Sequence, residues 1–408
     1  MALAIAALAA AAAVQAPAAP APCTTLCGAE ALAPFFAKLA APRGAGQGPL
    51  HILQIGDSHT AGDMISNGLR SRLQARYGHG GRGALAPGRP YRGYITWGVT
   101  AFQSPGWSVN SIFGPSYSSQ GGRPLGISGY TQTARSAGQS LGFTADSDAD
   151  RFDRIVVCAL KEPGAGAVTL RFGTAEQQWH LNSDTSSAQC RAFESDLKVN
   201  RASLTTQDNR PVSITSFGVF DRRAGIALSN FGVSGSQLVH QARQNDDVAR
   251  TELAAYRPDL ILLAFGTNEG FSQSLTAEKY EADLRLQVAR IRRLAGAEVP
   301  ILLLGAPDAA TRNPAFAGGG AGSCGGGWVT PAFIAEVRRR QRSLARELGL
   351  AFWDWHQAMG GQCSALRWQA RGHMGGDRIH FTRAGGDEVG AMLFRDLTAA
   401  AAATRTQP

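Results

Sequence analysis

The chain has 408 residues, of which 44% are hydrophobic and 17% are charged. This composition excludes an intrinsically disordered chain, and the length allows about two to three domains. The formal net charge of +9 would suit a nucleic-acid partner, but no basic segment is interleaved with aromatic residues. We therefore expect no nucleic-acid binding, and at most a mild attraction to an anionic polymer such as cell wall.

The N-terminal 22 residues predict a secretory signal peptide. Residues 1–16 are almost entirely alanine, leucine, isoleucine and valine, and a proline- and alanine-rich stretch follows them. No later segment stays apolar over the ~18 residues that a membrane-spanning helix needs. We therefore expect a periplasmic or secreted protein with no integral membrane span in the mature chain.

Six cysteines agree with export into an oxidising compartment. Proximity along the chain favours three local pairs, although other pairings and free buried thiols stay open. The favoured pairs are Cys23 with Cys27, Cys158 with Cys190, and Cys324 with Cys363. None of these spacings resembles a zinc site, so no metal is expected.

An apolar strand at 52–55 runs into the sequence Gly-Asp-Ser, in which the serine is Ser58. A helix is predicted next, because apolar side chains recur at every fourth residue and Gly78 ends the pattern. The recurring residues are Ile65, Leu69, Leu73 and Tyr77. A strand that feeds a helix in this way is typical of one unit of a parallel sheet.

Residues 95–222 interrupt this pattern with short β-like runs separated by Gly, Ser and Thr clusters. The runs lie at 155–157, 167–172 and 212–217, and no long helical period occurs between them. We interpret the segment as an inserted β-sandwich domain, which a host domain tolerates where the two chain ends emerge close together.

Strand–helix alternation resumes after residue 224. Strands are predicted at 225–229, 260–265, 301–304 and 350–353. Helices are predicted at 237–255, 280–294, 333–348 and 384–399, and Thr330 with Pro331 would supply the N-cap and first position of the third. Together with the first strand, this pattern predicts an α/β fold, a flavodoxin-like three-layer sandwich with about five parallel strands.

The predicted domain boundaries follow from these patterns. They are a signal peptide at 1–22, the first part of the α/β domain at 23–94, the β-rich insert at 95–222, the second part at 223–400, and a disordered tail at 401–408. The α/β domain is thus expected to form from two separate segments of the chain.

Ser58, Asp377 and His380 supply the residue types of a catalytic triad. Ser58 lies at the start of a predicted helix, whose N-terminus favours a developing negative charge. Asp377 and His380 are three residues apart, which places both on one side of a turn. Each signal also has a plain structural interpretation, because Asp-Ser is a common helix cap and Asp-x-x-His is often a salt-linked surface pair.

Two further blocks follow predicted strands. Gly235 ends the sequence Asn-Phe-Gly-Val-Ser-Gly, where glycine lets the backbone approach a ligand closely. Asn268 ends the sequence Gly-Thr-Asn, and its side-chain amide is a neutral donor that suits an oxyanion hole. In isolation, the first block would be an ordinary tight turn and the second a common loop.

Taken in order, these four blocks resemble those of the SGNH (GDSL-like) hydrolase family. The resemblance implies that Ser58 is the nucleophile and that His380 is the general base, oriented by Asp377. It also implies an oxyanion hole formed by the backbone N–H groups of Ser58 and Gly235 and by the side chain of Asn268. No cofactor and no metal are expected.

The first block reads Gly-Asp-Ser-His instead of Gly-Asp-Ser-Leu. Its longer sequence at 54–63, together with a β-rich insert before the second block, resembles the exported peptidoglycan O-acetylesterases. This resemblance implies that the insert is similar to a carbohydrate-binding module. His59 is a candidate for lining the substrate pocket. Four aromatic residues are candidates for stacking on sugars, although most of them are expected in the core: Trp97, Trp107, Tyr130 and Trp179.

The predicted function is a serine esterase that removes O-acetyl groups from a cell-wall glycan, with O-acetylated muramic acid of peptidoglycan as the favoured substrate. Three alternatives stay open. They are a glycan O-acetyltransferase with the same triad, an acetylesterase for another carbohydrate such as xylan, and a non-catalytic wall-binding protein. A Gly-x-Gly-x-x-Gly sequence at 78–83 follows a helix instead of a strand, and no Gly-x-Ser-x-Gly elbow occurs, which argues against dinucleotide binding and an α/β-hydrolase.

Overall fold

A computed structural model of the protein describes residues 23–44, 47–223, 225–316 and 322–406. The predicted signal peptide lies outside the described residues. The first segment forms β1 (Leu26–Cys27), α1 (Ala33–Ala40), β2 (Leu50–Gly56), the one-turn helix α2 (Ser58–Ala61), α3 (Met64–Tyr77) and β3 (Gly83–Leu85).

Ten strands then follow one another without an intervening α-helix. They are β4 (Val99–Gln103), β5 (Trp107–Ser111), β6 (Tyr130–Ala134), β7 (Ser140–Ala145), β8 (Phe152–Lys161), β9 (Ala167–Phe172), β10 (Ala175–His180), β11 (Ser187–Val199), β12 (Arg201–Thr206) and β13 (Val212–Phe220).

Strands and helices alternate again in the last segment. Its elements are β14 (Ile226–Gly232), α4 (Asp246–Tyr256), β15 (Leu260–Ala264), α5 (Thr267–Gly270), α6 (Ala277–Ala295), β16 (Ile301–Leu304), β17 (Gly322–Gly325), β18 (Trp328–Thr330), α7 (Ala332–Glu347), β19 (Ala351–Trp353), α8 (Trp355–Ala358), α9 (Ser364–Ala370) and α10 (Arg383–Thr406).

The central sheet is mixed but mostly parallel, with the strand order β1-β19-β16-β15-β2-β14. Five strands are parallel, and the two-residue β1 pairs antiparallel with β19 at one edge. Consecutive residues of β2 point to opposite faces of the sheet. Ile52 packs in a core with Leu69 of α3, whereas Leu53 packs in a second core with Leu284 of α6 and Val337 of α7. Helices therefore cover both faces, as the predicted three-layer fold requires.

Two antiparallel sheets lie between the α/β segments, as the β-like runs at 95–222 predict. One has the order β10-β9-β12-β7-β4, and the other has the order β11-β8-β13-β6-β5 with β3 paired to β13. The sheets share an apolar core, in which the rings of Phe143 and Phe217 meet edge to face at 5.3 Å between centroids. The interpretation of this region as a separate carbohydrate-binding domain stays a prediction.

One buried carboxylate joins the second antiparallel sheet to helix α4. Glu252 accepts hydrogen bonds from the Ile127 N–H and from the hydroxyls of Thr215 and Ser216, each at 2.6 Å. Beside it, Tyr256 donates a hydrogen bond to the Ser216 hydroxyl at 2.8 Å. Because Glu252 is fully buried, these donors fix the angle at which the sheet meets the helix.

Three boundaries differ from prediction. The helix expected at 237–255 is a 3₁₀ helix at 238–243 followed by α4, because the Asn245 side chain caps α4 by accepting from two backbone N–H groups. Thr330 does not cap α7; its hydroxyl lies 3.5 Å from the Asp308 carboxylate instead. Helix α10 continues to Thr406, so residues 401–406 of the expected disordered tail are helical.

All three predicted cysteine pairs form disulfides: Cys23 with Cys27, Cys158 with Cys190, and Cys324 with Cys363. Among the described residues, no helix combines the length and the apolar character that crossing a bilayer would demand.

Candidate active site

Ser58 is placed by the tight turn that ends strand β2. A Cβ atom at Gly56 would lie 2.2 Å from Thr60 Oγ1 and 2.6 Å from the Ala264 carbonyl oxygen, so only glycine fits between β2 and β15. Asp57 then caps α2 by accepting a hydrogen bond from the second backbone N–H of the helix. Ser58 is therefore the first helical residue, at the carboxyl end of a central strand, and the Asp-Ser pair serves as the helix cap that the sequence also allowed.

The loop before α10 brings an imidazole to this serine. Ser58 Oγ lies 3.0 Å from His380 Nε2, and His380 Nδ1 lies 2.7 Å from Asp377 Oδ2. Asp377 Oδ1 also accepts hydrogen bonds from the backbone N–H groups of Ile379 and His380 at 3.0 and 3.1 Å. Burial would raise the pKa of the Asp377 carboxyl, but these donors lower it below its usual value. The carboxylate therefore fixes the tautomer of His380, with Nδ1 protonated and Nε2 free to accept the serine proton.

Gly235 and Asn268 line the same cavity as Ser58. Gly235 has φ +77°, and a Cβ atom there would lie 2.7 Å from the Phe113 ring. Asn268 donates its side-chain amide to the Ser236 carbonyl oxygen at 2.9 Å, which fixes the amide group beside Gly235. Among the hydrogen bonds of the described residues, none is donated by the backbone N–H of Ser58 or of Gly235. Both groups thus remain available to an oxyanion.

A buried glutamate holds the second and third blocks together. Glu269 accepts hydrogen bonds from the Leu238 N–H at 2.7 Å and from the Gly266 N–H at 2.9 Å. Burial raises the pKa of this carboxyl to about 7, although both donors favour the charged form. In addition, Gln237 donates to the Asn268 carbonyl oxygen at 3.1 Å. These contacts set the position of Asn268 relative to the Gly235 turn.

The four blocks meet at one cavity of about 490 Å³. Its lining includes Ser58, Gly235, Asn268 and His380. Small residues close to Ser58 in the chain and one loop from outside the four blocks complete the lining. The side chains of His380 and Asp377 are about half exposed, so the site opens to solvent. An open cavity of this kind can admit part of a large substrate.

Sequence analysis did not identify the loop that forms the outer wall of this cavity. Tyr91 and Ile95 line the cavity, and Tyr91 also donates a hydrogen bond to the Ala61 carbonyl oxygen at 3.3 Å. The loop is anchored by buried Asp63, which accepts the Trp97 N–H at 2.9 Å. Its aromatic-rich sequence was the available signal, but it has no periodicity that would place it beside Ser58.

The remaining candidates lie elsewhere. His59 is only 6% exposed and does not line the cavity of about 490 Å³, but it lines a neighbouring space of about 30 Å³ with Ser58 and His380. Its contact with substrate stays a prediction. Trp107, Tyr130 and Trp179 are buried, as expected for core residues. Trp97 is half-buried, with the Arg383 guanidinium 4.2 Å from its ring centroid.

The chain matches the model of the GDSL-like Lipase/Acylhydrolase family over residues 213–387. Its structure is similar to that of a peptidoglycan O-acetylesterase, at 26% sequence identity and a TM-score of 0.74, over 91% of this chain and 96% of that one. A family two carbohydrate esterase from Cellvibrio japonicus matches at 11% identity and a TM-score of 0.27, over 74% of this chain and 98% of that one. No curated protein sequence matches the chain. The family match begins after Ser58, whereas the first structural match covers nearly the whole chain.

Proposed function

We propose that this chain, an esterase of the GDSL-like lipase/acylhydrolase family, removes O-acetyl groups from peptidoglycan. The observation that carries the proposal is the hydrogen-bonded series of Ser58, His380 and Asp377, with distances of 3.0 and 2.7 Å. A nucleophile, a base and an orienting acid in this order are what acyl transfer through a covalent intermediate requires.

The proposed reaction has two halves. Ser58 Oγ attacks the acetyl carbonyl carbon while His380 Nε2 takes the hydroxyl proton, and Asp377 stabilises the imidazolium that forms. The C–O bond to the sugar then breaks, and His380 returns the proton to the sugar oxygen as it leaves. In the second half, His380 deprotonates a water molecule that attacks the acetyl-enzyme, and acetate leaves with Ser58 restored.

Negative charge develops on the acetyl oxygen in both halves. Ser58, Gly235 and Asn268 line the same cavity, and in the proposed reaction the backbone N–H groups of the first two and the amide of the third donate to that oxygen. The Asn268 amide donates to the Ser236 carbonyl oxygen at 2.9 Å and to Asp57 Oδ2 at 3.5 Å. The N–H that makes the long contact to Asp57 is the one that would turn to the substrate oxygen. An Asn268→Ala variant should therefore lose about 10²–10³-fold in kcat.

A glycan ester suits the form of the site. The residues near Ser58 are small, including Ala61 and Gly62, and they leave room for a short acyl group. Tyr91 and Ile95 form an outer wall that would contact the sugar. The similarity to a peptidoglycan O-acetylesterase makes peptidoglycan the favoured glycan.

We also propose that the protein acts outside the cytoplasm and that its antiparallel sheets hold the glycan. Three disulfides support an oxidising location. The sheets flank the outer wall of the cavity, because the loop that carries Tyr91 and Ile95 leads directly into β4.

The test compares acetate released from O-acetylated peptidoglycan and from acetylated xylan. The wild-type protein should release acetate from peptidoglycan, and Ser58→Ala should lower kcat by about 10⁶-fold. Ser343→Ala, at an exposed position on α7, is the matched control and should retain full activity. Undiminished release by Ser58→Ala would refute the mechanism. Release from xylan alone would refute the proposed substrate, and transfer of acetyl to a glycan acceptor without acetate would indicate a transferase.

A further inference from the structure

His59 follows the proposed nucleophile but is buried and does not line the cavity of about 490 Å³. Its ring is enclosed by aromatic side chains, with centroids 5.5 Å from Trp355, 5.5 Å from Phe381 and 5.6 Å from His380. The mechanism above gives this buried imidazole no role. Its surroundings nevertheless connect it to both segments that carry the triad.

Three groups face the ring nitrogens of His59. Nε2 lies 3.0 Å from the Ile379 carbonyl oxygen, which can only accept, so Nε2 carries a proton. Nδ1 lies 3.2 Å from Asp57 Oδ1 and 3.5 Å from the Thr267 hydroxyl, which can donate or accept. The shorter contact, to a buried carboxylate, favours a second proton on Nδ1, and Asp57 balances the charge of the doubly protonated ring.

We propose that His59 is a positioning residue, which as a buried imidazolium holds the Asp377–His380 loop against the Ser58 turn. In the described part of the chain, two hydrogen bonds join residues 54–63 to residues 372–382: Ser58 to His380, and His59 to Ile379. The Ala310 N–H also holds the loop, by donating to the Arg378 carbonyl oxygen at 3.2 Å, but it lies outside the Ser58 turn. The bond to His380 must break and re-form during catalysis, so the bond from His59 is the one that holds the loop against the Ser58 turn throughout. A displacement of about 1 Å at the reacting atoms can cost about 10²-fold in rate.

The pH dependence follows from the groups that face the ring. Burial would lower the pKa of His59, but Asp57, the Ile379 carbonyl oxygen and Asp377 raise it above 6.5. The His380 ring faces His59 at 5.6 Å between centroids and opposes this charge when it becomes an imidazolium during the reaction. The activity should therefore fall at alkaline pH as His59 loses one of its two N–H donors.

The experiment rests on the proposed triad chemistry and uses p-nitrophenyl acetate, so that failure on peptidoglycan would not affect it. His59→Leu should lower kcat by about 10- to 100-fold with KM nearly unchanged, and should remove the alkaline limb of the pH profile. His59→Gln should recover part of kcat, since its amide N–H can still donate to the Ile379 carbonyl oxygen. The matched control is His51→Gln at the other end of β2, a buried histidine that contacts the Tyr256 carbonyl oxygen and should affect stability alone.

Three results would overturn the proposal. They are an unchanged kcat in folded His59→Leu, an alkaline limb that persists in both His59 variants, and a kcat loss in His51→Gln as large as that in His59→Gln. A measurement that needs no variant is the ¹⁵N spectrum of the wild-type ring. Two protonated nitrogens at neutral pH would support the proposal, and a neutral ring would overturn it even if the protein turned over no ester.

Discussion

Replacing Ile95 by alanine should weaken recognition of a glycan ester while leaving the chemistry intact. Ile95 lines the cavity beside Ser58, yet its own surface is 51% exposed. A large apolar side chain left open at the edge of a reaction site is a natural contact for the apolar face or the methyl groups of a bound sugar. A small acetyl ester would occupy only the inner part of the cavity and would not reach it.

The size of the effect follows from the exposed fraction of the side chain. Full burial of an isoleucine contributes about 1.5–3 kcal/mol. Covering the exposed half of Ile95 therefore contributes about 0.8–1.5 kcal/mol. At about 1.4 kcal/mol for each tenfold change, its loss should raise KM for the glycan by roughly 4- to 12-fold.

The assay measures kcat and KM on O-acetylated peptidoglycan fragments and on p-nitrophenyl acetate. Ile95→Ala should raise KM for the fragments and leave both constants for the small ester within about twofold. Leu286→Ala is the matched control, because Leu286 is 59% exposed on α6 and does not line the cavity. The reasoning is refuted if Ile95→Ala changes both substrates equally, or if Leu286→Ala gives the same effect as Ile95→Ala.

Four further variants test the site and the framework. Asp377→Asn should lower kcat by up to about 10⁴-fold on any acetyl ester, because an amide cannot stabilise the catalytic imidazolium. Replacing Cys158 and Cys190 together by serine should lower the free energy of unfolding by about 3–4 kcal/mol in urea denaturation, since their bond spans 32 residues of sequence. Glu252→Ala should cost about 2–4 kcal/mol in the same measurement, because it leaves three buried donors without an acceptor. Burial would raise the pKa of Asp63, but two contacting arginines lower it below 3.8. The stability that this carboxylate contributes is therefore complete above pH ~3.8 and lost as the pH falls through the lower folded value, and Asp63→Asn should remove this acid dependence.

Three of these outcomes have a control or a result that would contradict them. Asp184→Asn, at an exposed position, should leave the acid dependence unchanged, and an equal change in both variants would contradict the role given to Asp63. A reducing agent should lower the free energy of unfolding of the wild-type protein more than that of the double serine variant, because the variant has no disulfide between positions 158 and 190 to lose. A Glu252→Ala protein as stable as wild type would show that the three donors find other acceptors.

The central sheet could be predicted because its strands carry the signature of burial on both faces. The runs at 260–265 and 301–304 are continuous and apolar, and the structure forms strands at Leu260–Ala264 and Ile301–Leu304. Helix ends were harder to predict, since the same polar residue can cap a helix or bond elsewhere. Asn245 caps α4 inside a pattern that reads as one helix, and Thr330 turns to a buried aspartate instead of to α7.

The residues of the proposed triad could be named from sequence blocks, but the distances between their side chains could not be predicted. Likewise, no local pattern places Tyr91 and Ile95 beside Ser58. Their loop is held by the buried Asp63, whose carboxylate also contacts the Arg82 guanidinium at 2.9 Å. Such a position depends on side chains that meet only after the strands have paired, so it belongs to the tertiary structure and leaves no period in the sequence.

Strand order explains why three of the four blocks meet at one edge of the sheet. Ser58 follows β2, and β14 and β15, which precede Gly235 and Asn268, are the two neighbours of β2 in the sheet. Parallel strands bring their carboxyl ends to one edge, so pairing brings the proposed nucleophile and oxyanion donors together, and Glu269 then sets their relative position. No strand of the central sheet leads directly into the loop of His380, so the place of this loop depends on other contacts. They include the hydrogen bond from the Ala310 N–H to the Arg378 carbonyl oxygen and the side-chain contact of His59 with Ile379. Substitutions that loosen this loop should therefore lower kcat more than substitutions within the sheet that lower the free energy of unfolding by the same amount.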